Sequence, residues 1–124
     1  MSKRQQQKLE QMAKVIRDAG NKVPETGGIE ETLKWGQQSF LPLKKRVGTT
    51  VRIDTHGEDK VALYVHCQTN LVETYKTLFP ELTYEGNRAV VFECKSALPK
   101  QAIKFMAEAA LTYHLNKPKT KQVK

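Results

Sequence analysis

Two runs in the middle of the chain alternate with a period of two residues. In residues 50–55, Val51, Ile53 and Thr55 alternate with Arg52 and Asp54; in residues 60–67, Val61, Leu63, Val65 and Cys67 alternate with Ala62, Tyr64 and His66. Only an extended strand throws successive side chains to opposite faces, so each run reads as a strand with one dry face and one wet face. His56-Gly57-Glu58-Asp59 separates them and predicts a tight antiparallel connection. A lone two-stranded hairpin is marginal in water. The remainder of the chain must therefore supply more strands and a covering layer.

It contains both. Residues 38–41, ahead of Pro42, read as a short strand, and residues 82–84 and 88–94 flank Glu85-Gly86-Asn87 as a second hairpin with Val90, Phe92 and Cys94 on one face. Residues 2–19 place Leu9, Met12, Ala13, Ile16 and Ala19 at helical spacing, with Ser2 as N-cap and Gly20-Asn21 as a stop. A short helix is expected over 29–35, ending at Gly36. Asn70-Leu71-Val72-Glu73 has the form of a capping box and opens a helix that Pro80 ends. From Pro99 onward, Leu98, Ala102, Met106, Ala109, Ala110 and Tyr113 form a long apolar stripe. The expected order is ααβββαββα. It defines an α+β, two-layer α/β sandwich: an antiparallel sheet of about five strands, with helices on one face above Val51, Ile53, Leu63, Val65, Val90 and Phe92.

The length of 124 residues fits a single domain. The expected boundaries are a basic N-terminal extension of the first helix over 1–8, the domain over 9–115, and a basic disordered tail over 116–124. No apolar run approaches the roughly 20 residues that span a bilayer, and the polar, basic start lacks the apolar core of a secretory signal. The expectation is a cytoplasmic protein with no membrane partner. Cys67 and Cys94 are too few for a disulfide framework and read as buried, reduced thiols. The net charge of +8 lies mostly at the ends: Lys3, Arg4 and Lys8 on one side, and Lys117, Lys119, Lys121 and Lys124 on the other. That placement predicts weak, sequence-indifferent attraction to polyanions rather than a basic reading face.

No catalytic constellation emerges, so the chain reads as not an enzyme and as needing no cofactor. His66 and Cys67 are adjacent on a strand and diverge, there is no Cys-x-x-Cys, and His56 and His114 lack partners at ligand spacing; no metal site is expected. Gly27-Gly28 lacks the Lys-Ser/Thr of a phosphate loop. Glu25, Glu30 and Glu31 read as helix-dipole partners rather than hard-ion ligands. A binding face is the richer option. Trp35, Gln37 and Gln38, with Arg52, Tyr64 and His66 from the wet strand face, combine an aromatic with amides, a guanidinium and an imidazole. That mixture suits a small polar ligand. Alternatively Trp35 is a core plug between the short helix and the sheet.

The run Ile29-Glu30-Glu31-Thr32-Leu33-Lys34-Trp35-Gly36-Gln37-Gln38-Ser39-Phe40 is similar to the Glu-x-apolar-Lys-Trp/Tyr-Gly-x-Pro-x-Phe stretch of the YdhG-like family, small bacterial domains of unknown function. Val61-Ala62-Leu63-Tyr64-Val65, residues 88–92 and Leu98-Pro99 fit as well, so the resemblance covers roughly residues 8–115. It implies a frataxin-like sandwich, and some members are described as iron chaperones. Here Gln38 stands where Pro is usual, and the first helix carries Lys8, Lys14 and Arg17 against Glu10 and Asp18. With no catalytic set in the residues, the reading is a non-enzymatic binding domain of this class with its ligand undetermined; the resemblance implies an intracellular iron-binding chaperone as one alternative, and the basic ends give weak non-specific nucleic-acid binding as another.

Overall fold

The structure is a computed structural model that describes residues 2–34, 37–66 and 68–116. Trp35, Cys67 and the tail lysines Lys117, Lys119, Lys121 and Lys124 lie outside the described residues. In chain order the elements are α1 (Lys3–Lys22), a 3₁₀ turn (Pro24–Thr26), β1 (Ile29–Lys34), β2 (Gln37–Pro42), β3 (Val51–Thr55) and β4 (Lys60–Tyr64), then α2 (Leu71–Leu78), β5 (Thr83–Glu85), β6 (Ala89–Glu93), α3 (Lys100–Leu111) and α4 (Tyr113–Asn116). The six strands form one antiparallel sheet in the order β1-β2-β3-β4-β6-β5. The fold is α+β, as the period-two runs require.

The core forms where the strand and helix periods meet. Val51, Ile53, Leu63, Val65, Val90 and Phe92 are all buried, together with Leu9, Met12, Ala13, Ile16 and Ala19 of α1 and Ile103, Met106, Ala107 and Ala110 of α3. Cys94 is also buried, and burial pushes its thiol pKa up. Among the described residues, no helix is long and apolar enough to cross a membrane.

Three local features differ from the sequence reading. Residues 29–34 are a strand and not a helix: Ile29 pairs with Pro42 and Lys34 with Gln37, so β2 satisfies the backbone groups that a two-turn helix would have left largely unpaired. The strand count rises to six, and the order begins with one long helix followed by four strands. The first helix also does not stop at Gly20-Asn21. A Cβ at Gly20 would collide with Ile29 and come within 3.0 Å of Leu111, so this glycine serves close packing inside the helix rather than termination. At the other end of α1 the Ser2 cap is present as a full capping box with Gln5. Gln5 is itself buried and donates to the carbonyls of Gly57 and Lys60, both at 2.9 Å. Lys3, Arg4 and Lys8 thus belong to the first turns of a docked helix. Finally, Asn70 precedes α2 without making a side-chain cap bond. Thr69 Oγ1 instead accepts the Leu71 N–H at 3.3 Å.

Candidate functional site

The side of the sheet away from the helices carries the polar residues of the alternating strands. Thr32, Ser39, Arg52, Tyr64, Ala89 and Glu85 lie in one register row across all six strands. Ser39, Ala62 and Ala89 are fully buried on this side, a floor of small side chains under larger neighbours. Above it the polar groups mostly engage one another. Gln37 Nε2 donates to Asp54 Oδ2 at 3.2 Å, His56 Nδ1 lies 3.4 Å from Tyr64 Oη, and His56 Nε2 lies 3.5 Å from Glu85. Burial, aided by the Asp54 and Glu85 carboxylates, raises the Tyr64 pKa. Arg52 is half-buried and, among the described residues, has no hydrogen-bond or ion-pair partner.

Of the residues proposed from sequence for a ligand site, this face brings Gln37, Arg52 and Tyr64 together. It does not gather the others. Gln38 stands opposite Ile53 in the β2–β3 register and so belongs to the helix side. His66 lies beyond the end of β4, exposed, where its Nδ1 accepts the Gln68 N–H at 3.1 Å and shapes a turn. Trp35 is outside the described residues. The network also contains Asp54, His56 and Glu85, which the sequence reading left out. His56 was legible in principle, because it continues the 52, 54, 56 alternation one step past the strand.

A second feature lies on the helix side: a groove of roughly 750 Å³ where the 3₁₀ turn, α2, α3 and α4 converge. Phe105, Tyr113 and Leu115 give it apolar walls, and Asn70, Glu25 and Glu108 bring polar groups to it. Phe105 is held edge-on by Phe79, with ring centroids 5.8 Å apart, and by Tyr75 at 6.5 Å. Tyr113 Oη accepts the Asn70 backbone N–H at 3.4 Å. The Asn70 side-chain amide makes no cap bond and has no partner among the described residues, so it stays available at the groove. Neither carboxylate has a hydrogen-bond or ion-pair partner among the described residues. The signal for this site was faint. Leu115 stands off the apolar stripe of the last helix, Phe105 lies at the stripe's edge, and Asn70 occupies a cap position that its side chain does not use.

The two places differ in what they leave unfilled. The open face is flat, and its donors and acceptors largely satisfy one another, apart from Arg52. The groove is concave and mostly apolar, with a few free polar groups, as small-ligand sites generally are. Among the described residues, no three His, Cys, Asp or Glu side chains are grouped so as to hold a metal ion. Fold and site together define a small α+β sandwich with a helix-side groove. No family model, curated protein or solved structure matches the chain.

Proposed function

We propose that this chain is a non-enzymatic binding domain of the YdhG-like class whose ligand occupies the groove between the 3₁₀ turn, α2, α3 and α4. The observation that carries the reading is the groove's make-up: about 750 Å³, walled by Phe105, Tyr113 and Leu115, with the Asn70 amide and two carboxylates unengaged among the described residues. Sites for small ligands occupy about 300–1,000 Å³ and combine apolar walls with a few orienting polar groups. Family membership rests on the resemblance of residues 29–40.

A second reading is favoured by Arg52. Leaving a half-buried guanidinium without an acceptor is costly, and a polar ligand with an acceptor group beside Tyr64 and Gln37 would satisfy it. Amide NMR spectra recorded with a mixed library of small fragments separate the two readings. Shifts gathered at Asn70, Leu71, Phe105 and Tyr113 are expected. Shifts gathered at Gln37, Arg52 and Tyr64 would move the site to the open face. No response at either place with millimolar fragments would remove the binding-domain reading.

A further inference from the structure

We propose that the groove takes an organic amine: a primary ammonium carried on an apolar, aromatic or alkyl body. This rests on the groove being the ligand site and adds the chemistry of the ligand. The argument begins with charge. Lys and Arg outnumber Asp and Glu by 21 to 13 in this chain, yet among the described residues the groove lining contains Glu25 and Glu108 and no Lys or Arg. Four other carboxylates meet Lys or Arg: Asp59 pairs with Arg4, Asp18 with Lys14, Glu31 with Arg17 and Glu93 with Lys95, whereas Glu10, Glu30, Glu58, Glu73 and Glu81 stand on the surface with no ion pair among the described residues. Glu25 and Glu108 have no such partner among the described residues. Two carboxylates without a cation partner among the described residues, beside a groove of roughly 750 Å³, make a local well for positive charge. At physiological salt, charges within about 8 Å of the groove dominate the field that a ligand meets there.

The walls determine what must carry that charge. Phe105 is 37% exposed and Leu115 43% exposed, so the groove presents large apolar groups that a hydrated inorganic cation would leave uncovered. A ligand with a methylene or aromatic body covers them, and the faces of Phe105 and Tyr113 favour a nearby ammonium. The Asn70 side-chain oxygen supplies a neutral acceptor, so an ammonium with three donors can meet an amide and a carboxylate together. An anionic ligand would meet two like charges, and a neutral one would gain no charge-assisted contact with either carboxylate.

The test uses the full chain and three near-isosteric probes: phenylbutylamine, phenylbutanol and phenylbutyrate. Each is titrated by amide NMR at two ionic strengths. The amine is expected to bind about tenfold more tightly than the alcohol, a factor in keeping with one charge-assisted hydrogen bond. The acid should not bind detectably, and the preference for the amine should shrink as salt rises. Glu108→Gln and Glu25→Gln keep the shape of the groove, and each should remove a large part of that preference while leaving alcohol binding unchanged. If the alcohol binds in the groove as tightly as the amine, the binding reading survives and the amine assignment fails. If no probe perturbs the groove, both fail. A short Lys-Phe-Lys peptide that binds more tightly than phenylbutylamine would make the occupant a protein segment and overturn the small-molecule assignment.

Discussion

Tyr75 shows what one buried hydroxyl does for this fold. The side chain is fully buried, and its Oη donates to the Met106 carbonyl at 2.7 Å, joining α2 to α3. Tyr84 Oη lies 2.9 Å from the Tyr75 carbonyl and 2.7 Å from that of Phe79, joining β5 to the end of α2. Burial raises the pKa of both tyrosines and of Tyr64. The folded pKa then lies above the unfolded one, so this contribution is complete below about pH 10 and is lost as pH rises beyond it. Denaturation with urea at a series of alkaline pH values should show stability falling above that point. Tyr75→Phe should make the fall shallower, at a cost of about 1 kcal/mol near neutral pH for the lost hydrogen bond. A slope unaffected by that substitution would mean that Tyr75 ionises as freely folded as unfolded.

At the scale of elements, the contact of α1 with β1 is the most informative. Arg17 forms a two-pronged ion pair with Glu31, its Nη2 lying 3.0 Å from Oε1, while Gly20 lets Ile29 and Leu111 approach the helix backbone. In an open helix, Gly→Ala stabilises by roughly 0.5–1 kcal/mol. Here the added methyl meets packed side chains, and overpacking of that kind typically costs about 1–3 kcal/mol. Gly20→Ala should therefore lower the midpoint of chemical denaturation, and a raised midpoint would show that the junction relaxes freely. The same junction explains which parts of the fold were legible beforehand. Strands β3, β4 and β6 are half-buried, so burial imprints a period of two on their residues. β1 is an edge strand with little to bury: Leu33 is 70% exposed, and Glu31, which the register places opposite Phe40 on the helix side, meets Arg17 there. Its residues therefore carry no clear alternation, and their mixture reads equally well as a helical turn. Gly20 looked like a stop because a sequence cannot show that another chain segment passes close by. The groove escaped notice for the same reason, since its walls come from three segments far apart in the chain: the 3₁₀ turn, α2, and α3 with α4.

For the molecule as a whole, the distribution of charge in space matters more than its sum along the chain. Residues 9–115 carry nearly balanced charge, but the helix layer does not. Lys22, Lys100 and Lys104 line one shallow depression between α1 and α3, with only Asp18 beside them, and Asp18 is paired with Lys14. Weak binding to duplex or single-stranded nucleic acid is expected at low salt, fading toward physiological ionic strength. Removing residues 117–124 should weaken it. Replacing Lys22, Lys100 and Lys104 by Gln in the shortened chain should weaken it further. Both effects can be read from fluorescence anisotropy with several labelled sequences, and a clear preference for one sequence would contradict a purely electrostatic origin. The packing of α1 against α3 has a further consequence, for the time course of synthesis. Helix α1 leaves the ribosome well before α3, yet it buries its apolar stripe partly against Ile103, Met106 and Ala110 of that later helix. Until they emerge, Leu9, Met12 and Ile16 must remain incompletely covered, and the nascent chain offers chaperones and other nascent chains an adhesive surface that the finished protein conceals.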